Sequence, residues 1–277
     1  MAGCPVCEAP VRAGESYCEA CGHALGAPAC VSCGAAAVDA EGYCERCGLR
    51  QPTGRDHAET VLGGGAAAVT DRGLRRPRNE DAVALLEAGG AVVAVVCDGV
   101  GSSPRADEAS AAAAGTASAA LARGASQAEA FELAARAVAK LATSVDDAPA
   151  CTYVAAVAEG GTVTVSWAGD TRAYWLPRSS PAATPLTADD VVETGELTAW
   201  LGADAGEVRP HVRTLAPREP GLLLVCSDGL WRYLAGYAFP ASGTPSEMAR
   251  ELLRHALDAG GQDNVTIALI PLGEVHG

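Results

Sequence analysis

Hydrophobic residues are scattered as far as Thr60 and then gather into blocks. "AVVAVVC" (Ala91 to Cys97) and "LLLVCS" (Leu222 to Ser227) are continuous apolar runs, the pattern of strands covered on both faces. "TVTVSW" (Thr162 to Trp167) alternates polar with apolar residues, which predicts another strand. It follows "CTYVAAVAEGG", so Glu159-Gly160-Gly161 predicts a hairpin turn. Helices are announced by their caps. Ser126 and Glu129 form a capping-box pair, with Phe131, Ala134, Val138 and Leu141 following on one face. Thr244-Pro245-Ser246-Glu247 adds a proline at the first helical position and opens "SEMARELLRHALDA". "SPRADEASAAAAGTASAALA", from Ser103, predicts a third helix.

The poorly patterned first segment holds eight of the 11 cysteines. They form four Cys-x-x-Cys pairs: Cys4/Cys7, Cys18/Cys21, Cys30/Cys33 and Cys44/Cys47. A shift of 26 residues lays Tyr17 on Tyr43, Glu19 on Glu45 and Gly22 on Gly48, an internal repeat. Each pair aims two thiolates at one point, and two pairs complete a four-sulfur site for Zn²⁺. A disulfide framework is the competing reading; four pairs in register disfavour it, as do the cytoplasmic signs below. The segment resembles a tandem zinc ribbon with two structural zinc ions, and metal binding would supply its folding energy. The expected division is 1–49 for the ribbons, 50–62 for a polar linker ("RQPTGRDHAET" with Pro52 and Gly54), and 63–272 for a larger domain.

Charge narrows the partners. The net charge is −14, which disfavours nucleic acid and anionic membranes. Within the ribbons, Arg12, Arg46 and Arg50 face Glu8, Glu15, Glu19, Asp39, Glu41 and Glu45, so the module is read as contacting protein rather than nucleic acid. No apolar run approaches the roughly 20 residues of a membrane span, and "MAGCPVCEAP" does not read as a signal peptide. A cytoplasmic location is expected. Cys97, Cys151 and Cys226 lie in or beside apolar strands and read as small core residues. His57, His211 and His255 are isolated and carry no assigned chemistry.

Acidic residues recur where strands end or begin. They stand in "RRPRNEDA" (Arg75 to Ala82), "CDGVG" (Asp98), "AGDTRAY" (Asp170), "CSDGL" (Asp228) and "GGQDNVTIAL" (Asp263). Any one of these alone reads as an ordinary turn aspartate. Together they suggest a hard-oxygen site for Mg²⁺ or Mn²⁺. An apolar strand is a rigid mount, and a following Asp-Gly holds a ligand at fixed geometry.

The ordered series "RPRNEDA", "CDGVG", "GDTRAY", "SDGLW" and "GGQDNVT" resembles the PPM family, the metal-dependent type 2C protein serine/threonine phosphatases, over roughly residues 63 to 272. The resemblance implies an α+β fold: a four-layer α-β-β-α sandwich of two mainly antiparallel sheets. It implies two Mn²⁺ or Mg²⁺ ions, with Asp98 bridging them, Gly99 offering its carbonyl, and Asp228 and Asp263 as further ligands. Glu80 and Asp81 would orient water at the ions, with Asn264 beside them, and Arg76 would grip the phosphate, which a planar guanidinium does bidentately. The implied reaction is direct hydrolysis of phosphoserine and phosphothreonine by metal-activated water. The implied partners are phosphorylated proteins, with a cognate serine/threonine kinase as one candidate. The alternative is a catalytically weak scaffold of the same fold acting through its ribbons.

Three positions depart from the family pattern. Arg232 stands where many members have an Asp that joins Asp170 in holding a third metal, so a third ion is disfavoured. The segment from Leu186 to Gly202 is short, with Asp190 where a His is usual, which predicts a more open site. Val100 stands where some members carry a His, leaving no side-chain acid identified for the leaving group.

Overall fold

The computed structural model describes the chain apart from residues 1, 5, 12–16, 24, 26, 27, 31, 32, 40, 41, 49, 50, 52, 53, 145 and 274–277. Arg12, Glu15, Glu41 and Arg50 of the ribbon charge reading, and Pro52 of the linker reading, lie outside the described residues. The chain divides into two units, Met1–Gly54 and Arg55–Gly277.

The second unit is a stack of two antiparallel sheets between helices. Its longer strands are β1 (His57–Val61), β2 (Ala67–Asp71), β3 (Ala82–Ala88), β4 (Ala91–Cys97), β5 (Tyr153–Glu159), β6 (Thr162–Ala168), β7 (Arg172–Pro177), β8 (His211–Leu215), β9 (Gly221–Cys226) and β10 (Val265–Leu272). Among the described residues one sheet runs β7-β9-β10-β2-β1, with the short Thr184–Pro185 strand outside β7, and the other runs β8-β6-β5-β4-β3. The inner faces meet through Val96, Val154, Val165, Val225 and Ile270. Helices α1 (Ala106–Ala122) and α2 (Gln127–Ala139) cover the second sheet. Helices α3 (Asp228–Trp231) and α4 (Pro245–Asp258) cover the first. This is the four-layer sandwich the resemblance implies.

Local chemistry explains the elements. Gly160 and Gly161 have φ of 56° and 77°, the left-handed pair that a two-residue hairpin between β5 and β6 requires. Both capping boxes close: Ser126 and Thr244 accept from the backbone N–H of Glu129 and Glu247 and receive their carboxylates in return. α1 begins at Ala106, three residues past the expected start at Ser103, because Arg105 adopts a left-handed φ of 48°. Arg105 is held there by bonds to Asp147 Oδ2 (2.7 Å) and the Leu141 carbonyl (2.8 Å). α1 buries a face of alanines, including Ala109, Ala113 and Ala117, which lets it lie close on the sheet. In α2, Phe131 packs edge-on to Tyr153 at 5.2 Å, a contact whose loss on truncation to Ala costs about 3–5 kcal/mol.

One boundary is corrected. The residues read as the end of a linker include β1, which pairs with β2 from His57↔Asp71 to Val61↔Ala67. All five of its residues are exposed, so no buried face marks it in the sequence; ladder hydrogen bonds at the sheet edge hold it instead.

The first unit repeats one knuckle four times. The fourth residue after each first cysteine turns back to that cysteine's carbonyl: Glu8, Gly22, Gly34 and Gly48, at 2.7–2.9 Å. All four have positive φ, between 62° and 76°, and only Glu8 is not glycine.

Candidate active site

The strand register gathers the acidic motifs at one end of the sandwich. Ala82 pairs with Cys97, so Glu80-Asp81 before β3 lie beside Asp98 after β4. Arg172 pairs with Cys226, which sets Asp170 near Asp228. Cys226 pairs with Ile267, which brings Asp263-Asn264 alongside. Five segments separated by up to about 180 residues thus deliver Asp81, Asp98, Asp170, Asp228 and Asp263 to one place.

A polar frame holds them. The Asn264 side chain accepts from the Glu80 N–H (2.8 Å) and donates to the carbonyls of Arg72 (2.8 Å) and Arg78 (2.9 Å), closing the loop that carries Arg76. Ser227 Oγ donates to Asp81 Oδ2 at 2.7 Å and accepts from the Thr266 N–H at 3.0 Å. Asp98 is clamped at its backbone, its N–H donating to Thr152 Oγ1 (3.1 Å) and its carbonyl accepting from the Thr152 N–H (2.8 Å). Gly99 admits no side chain: a Cβ there would meet Ala106 Cβ and the Glu80 carbonyl at 2.8 Å each. Gly229 is tighter still, with the Asn264 carbonyl 1.9 Å from an added Cβ.

The cluster is electrostatically costly. Burial pushes the Asp98 carboxyl well up from the usual carboxylate range, and the charges of Asp81, Asp228, Asp170 and Asp263 add to it. Burial likewise raises Asp81 to about 7 and Asp170 to about 6. Asp228 is raised by burial and by Asp263, with Arg232 opposing. Two guanidiniums offset part of this. Arg76 Nη2 reaches Asp263 Oδ2 at 2.7 Å, and Arg232 Nη2 reaches Asp228 Oδ2 at 2.6 Å. The other oxygens, Asp228 Oδ1 and Asp81 Oδ1, are buried with no hydrogen-bond partner among the described residues. Orphaned oxygens on two buried carboxylates, among three half-buried ones, fit divalent cations, which hard oxygen donors hold.

Several residues of the site stand outside the first expectations. Asn264, expected beside the water-orienting acids, spends its side chain on the loop backbone. Ser227 and Thr152 support Asp81 and Asp98, yet a lone hydroxyl residue in a motif has no periodic signal. Trp231 Nε1 donates to the Asp170 carbonyl at 2.8 Å, and Arg172 lies 3.5 Å over the Trp231 ring while forking onto Asp189 at 2.8 and 2.7 Å. Both residues belong to the quoted motifs "GDTRAY" and "SDGLW". Asp190 accepts from the Gly169 N–H at 3.0 Å and pairs with His211 at 2.8 Å, tying the short 186–202 segment to the turn that bears Asp170.

In the first unit, Cys4, Cys7, Cys18 and Cys21 form one set and Cys30, Cys33, Cys44 and Cys47 the other. Sulfurs approach at 3.6–3.7 Å across each set, close to the roughly 3.8 Å edge of a tetrahedron with Zn–S bonds of about 2.3 Å. Among the described residues, only these two sets bring three or more ligand atoms within 4.8 Å of one another; the carboxylates are spread more widely, with Arg76 on Asp263 and Arg232 on Asp228. His23 joins the two ribbons, its Nδ1 on Glu45 Oε2 and its Nε2 on the Ala36 carbonyl at 2.9 Å. Both partners can accept, an arrangement that favours the protonated ring. Burial pulls its pKa down, but the Glu45 and Ala36 bonds outweigh that and raise it.

Family models match both units, and solved structures match the greater part of the chain. A search of curated proteins finds no match for the chain. Serine/threonine phosphatase Stp1 from Staphylococcus aureus superposes with a TM-score of 0.66 at 22% identity, covering 81% of this chain and 100% of that one. The PPM Ser-Thr phosphatase MsPP from Mycobacterium smegmatis, solved with cacodylate, gives 0.62 at 28% identity, covering 77% and 100%. The catalytic domain of serine threonine protein phosphatase PstP, solved with 2 manganese ions, gives 0.59 at 26% identity, covering 75% and 98%. The double zinc ribbon family model matches residues 4–48, and that of protein phosphatase 2C matches residues 75–264. With that second match spanning well over half its length, the chain belongs to the protein phosphatase 2C family.

Proposed function

We propose that this chain is an active protein phosphatase that hydrolyses phosphoserine and phosphothreonine at a binuclear metal centre. The observation that carries the reading is the partly buried carboxylate cluster with two orphaned oxygens, bordered by the Arg76 guanidinium. Asp98, Asp228 and Asp263 would hold two Mn²⁺ or Mg²⁺ ions, with the Gly99 carbonyl completing the set. Such ions supply an activated water nucleophile and offset phosphoryl charge. The manganese bound to the PstP catalytic domain supports this choice of metal.

The protein's own groups do the rest. Arg76 presents a planar fork to two phosphate oxygens and fixes the phosphoryl group for in-line attack. Asp81 and Glu80 would orient water at the ions, with Asp81 held in place by the Ser227 hydroxyl on its Oδ2. Arg232 stands beside Asp170 and Asp228 as a fixed cation, so the centre is expected to hold two ions rather than three.

The ribbons are proposed to bind two Zn²⁺ and to contact a protein, with a serine/threonine kinase or its substrates as phosphorylated partners. A cytoplasmic location is part of the proposal; among the described residues no helix is long and apolar enough to cross a membrane. The test is a phosphatase assay of metal-stripped protein. Activity on phosphothreonine peptide should return with Mn²⁺; its failure to return on any phosphomonoester would overturn the reading.

A further inference from the structure

A cleft of about 460 Å³ opens beside the carboxylate ring. It begins at Val100 and Ser102, within four residues of Asp98. The Val100 N–H is pinned to the Ala150 carbonyl at 3.0 Å, so this wall is fixed relative to Asp98. Leu197 and Trp200 of the short segment 186–202 also line the cleft. The Trp200 ring is oriented by its Nε1 bond to Asp204 Oδ1 at 3.1 Å. The rim carries Asp146, Glu196 and Asp204, and no Lys, Arg or His lines the cleft among the described residues.

We propose that this cleft is a specificity site for a basic side chain, Arg or Lys, on the phosphoprotein substrate. The inference rests on the phosphatase reading and names the substrate class that reading leaves open. The shape and charge suit one occupant. The aliphatic stem of an Arg or Lys packs on Val100 and Leu197, its cationic head stacks on Trp200, and the three carboxylates of the rim oppose its charge. An acidic side chain would meet those carboxylates without a compensating cation, so the cleft selects against acidic neighbours as well as for basic ones. An extended peptide advances about 3.3–3.6 Å per residue. Val100 stands two positions past Asp98, and the next residue, Gly101, lies against the Arg76 guanidinium, 3.2 Å from where its Cβ would stand. A side chain two or three positions from the phosphorylated residue therefore reaches the cleft while the phosphate lies at Arg76. The charge opposite to this pattern, a ring of carboxylates next to a dianionic phosphate, is neutralised at the catalytic centre by the cations proposed there. At the cleft none of the described lining residues supplies positive charge, which leaves that to the substrate.

The test uses the full chain with Mn²⁺ and phosphothreonine peptides carrying Arg, Ala or Glu at positions −3, −2, +2 and +3. The readout is the ratio of kcat/KM for the Arg peptide over the Glu peptide within one enzyme, which cancels any general loss of folding or metal. The wild type should prefer Arg by about tenfold at one or more of these positions, with the preference shrinking at high ionic strength. Trp200→Ala and the pair Asp146→Asn, Glu196→Gln should bring the ratio near one. A wild-type ratio near one at every position would overturn the proposal, as would a preference that survives both variants. A small aryl phosphate is assayed alongside. Its hydrolysis without charge ranking sinks the cleft alone. If neither it nor the peptides turn over, the phosphatase reading falls, and calorimetric binding of the same peptides still decides the cleft by the same ranking.

Discussion

Arg232 donates to Asp228 at 2.6 Å, four residues along from the aspartate it neutralises and at the far end of the same short helix. That single contact puts a fixed positive charge beside Asp170 and the candidate ligand Asp228. A guanidinium does there what an additional ion would do, and it repels such an ion. Arg232→Asp should therefore raise the number of Mn²⁺ ions bound per phosphatase unit from two to three. Metal analysis after gel filtration reads this directly. An unchanged count in a folded variant would show that Arg232 does not limit the site.

The unit boundary predicts that residues 55–277 fold and work without the ribbons. A fragment starting at Arg55 keeps β1 and the Asn79 bond to the Arg55 carbonyl, 2.9 Å long. It should hydrolyse an aryl phosphate at close to the full-length rate and contain no zinc. The full chain should contain two zinc ions, bound by soft sulfur donors that Mn²⁺ does not favour. A fragment that folds but is inactive would mean the ribbons complete the catalytic site.

Protons and metal ions compete for the carboxylate ring. Asp81 and Asp170 titrate near 7 and 6 in the folded protein but near 3.9 when unfolded. Between about pH 4 and 7 the folded state thus holds protons the unfolded state has lost, so stability falls as pH rises through that window. The metal-free 55–277 fragment should melt several degrees higher at pH 5.5 than at pH 8. Saturating Mn²⁺ should reverse the order, because the ionised carboxylates bind it best. His23 would act in the same direction as the carboxylates in the full chain, which is why the fragment is used. A metal-free melting temperature that rises toward pH 8 would contradict the raised values.

How much of this was legible in the sequence depends on range. The mounts of Asp98 and Asp228 were plain, because an apolar run followed by Asp-Gly is a local signal. The four zinc knuckles were plainer still, since the repeat shows itself. The bonds that hold the motifs together were not visible. Asn264 reaches Arg72, Arg78 and Glu80 across more than 180 residues, and Ser227 reaches Asp81 across 146. No periodicity encodes such pairs. β1 reads as linker in the sequence because an exposed edge strand has no buried face to alternate with. The Ala-rich α1 was recognised, but its start was displaced by the unusual backbone of Arg105.

Arg76 separates binding from metal retention. Its 2.7 Å contact with Asp263 places it at the edge of the ring, where it can exchange that carboxylate for a phosphate. Arg76→Ala should raise KM about tenfold or more while leaving Mn²⁺ affinity within a few-fold. Steady-state kinetics with parallel Mn²⁺ titrations read both. Loss of metal binding in a folded variant would make Arg76 a structural partner of Asp263.

The central claim is that Asp98 organises a metal centre that does the chemistry. The direct measurement is a Mn²⁺ titration of metal-stripped wild type and Asp98→Asn, following bound metal and phosphate release from a phosphothreonine peptide together. The wild type should bind two ions and gain activity in step with them. Asp98→Asn should lose metal binding and at least about 10²-fold in turnover, the scale of charge stabilisation at such centres. An Asp98→Asn protein that turns over at close to the wild-type rate would contradict the account.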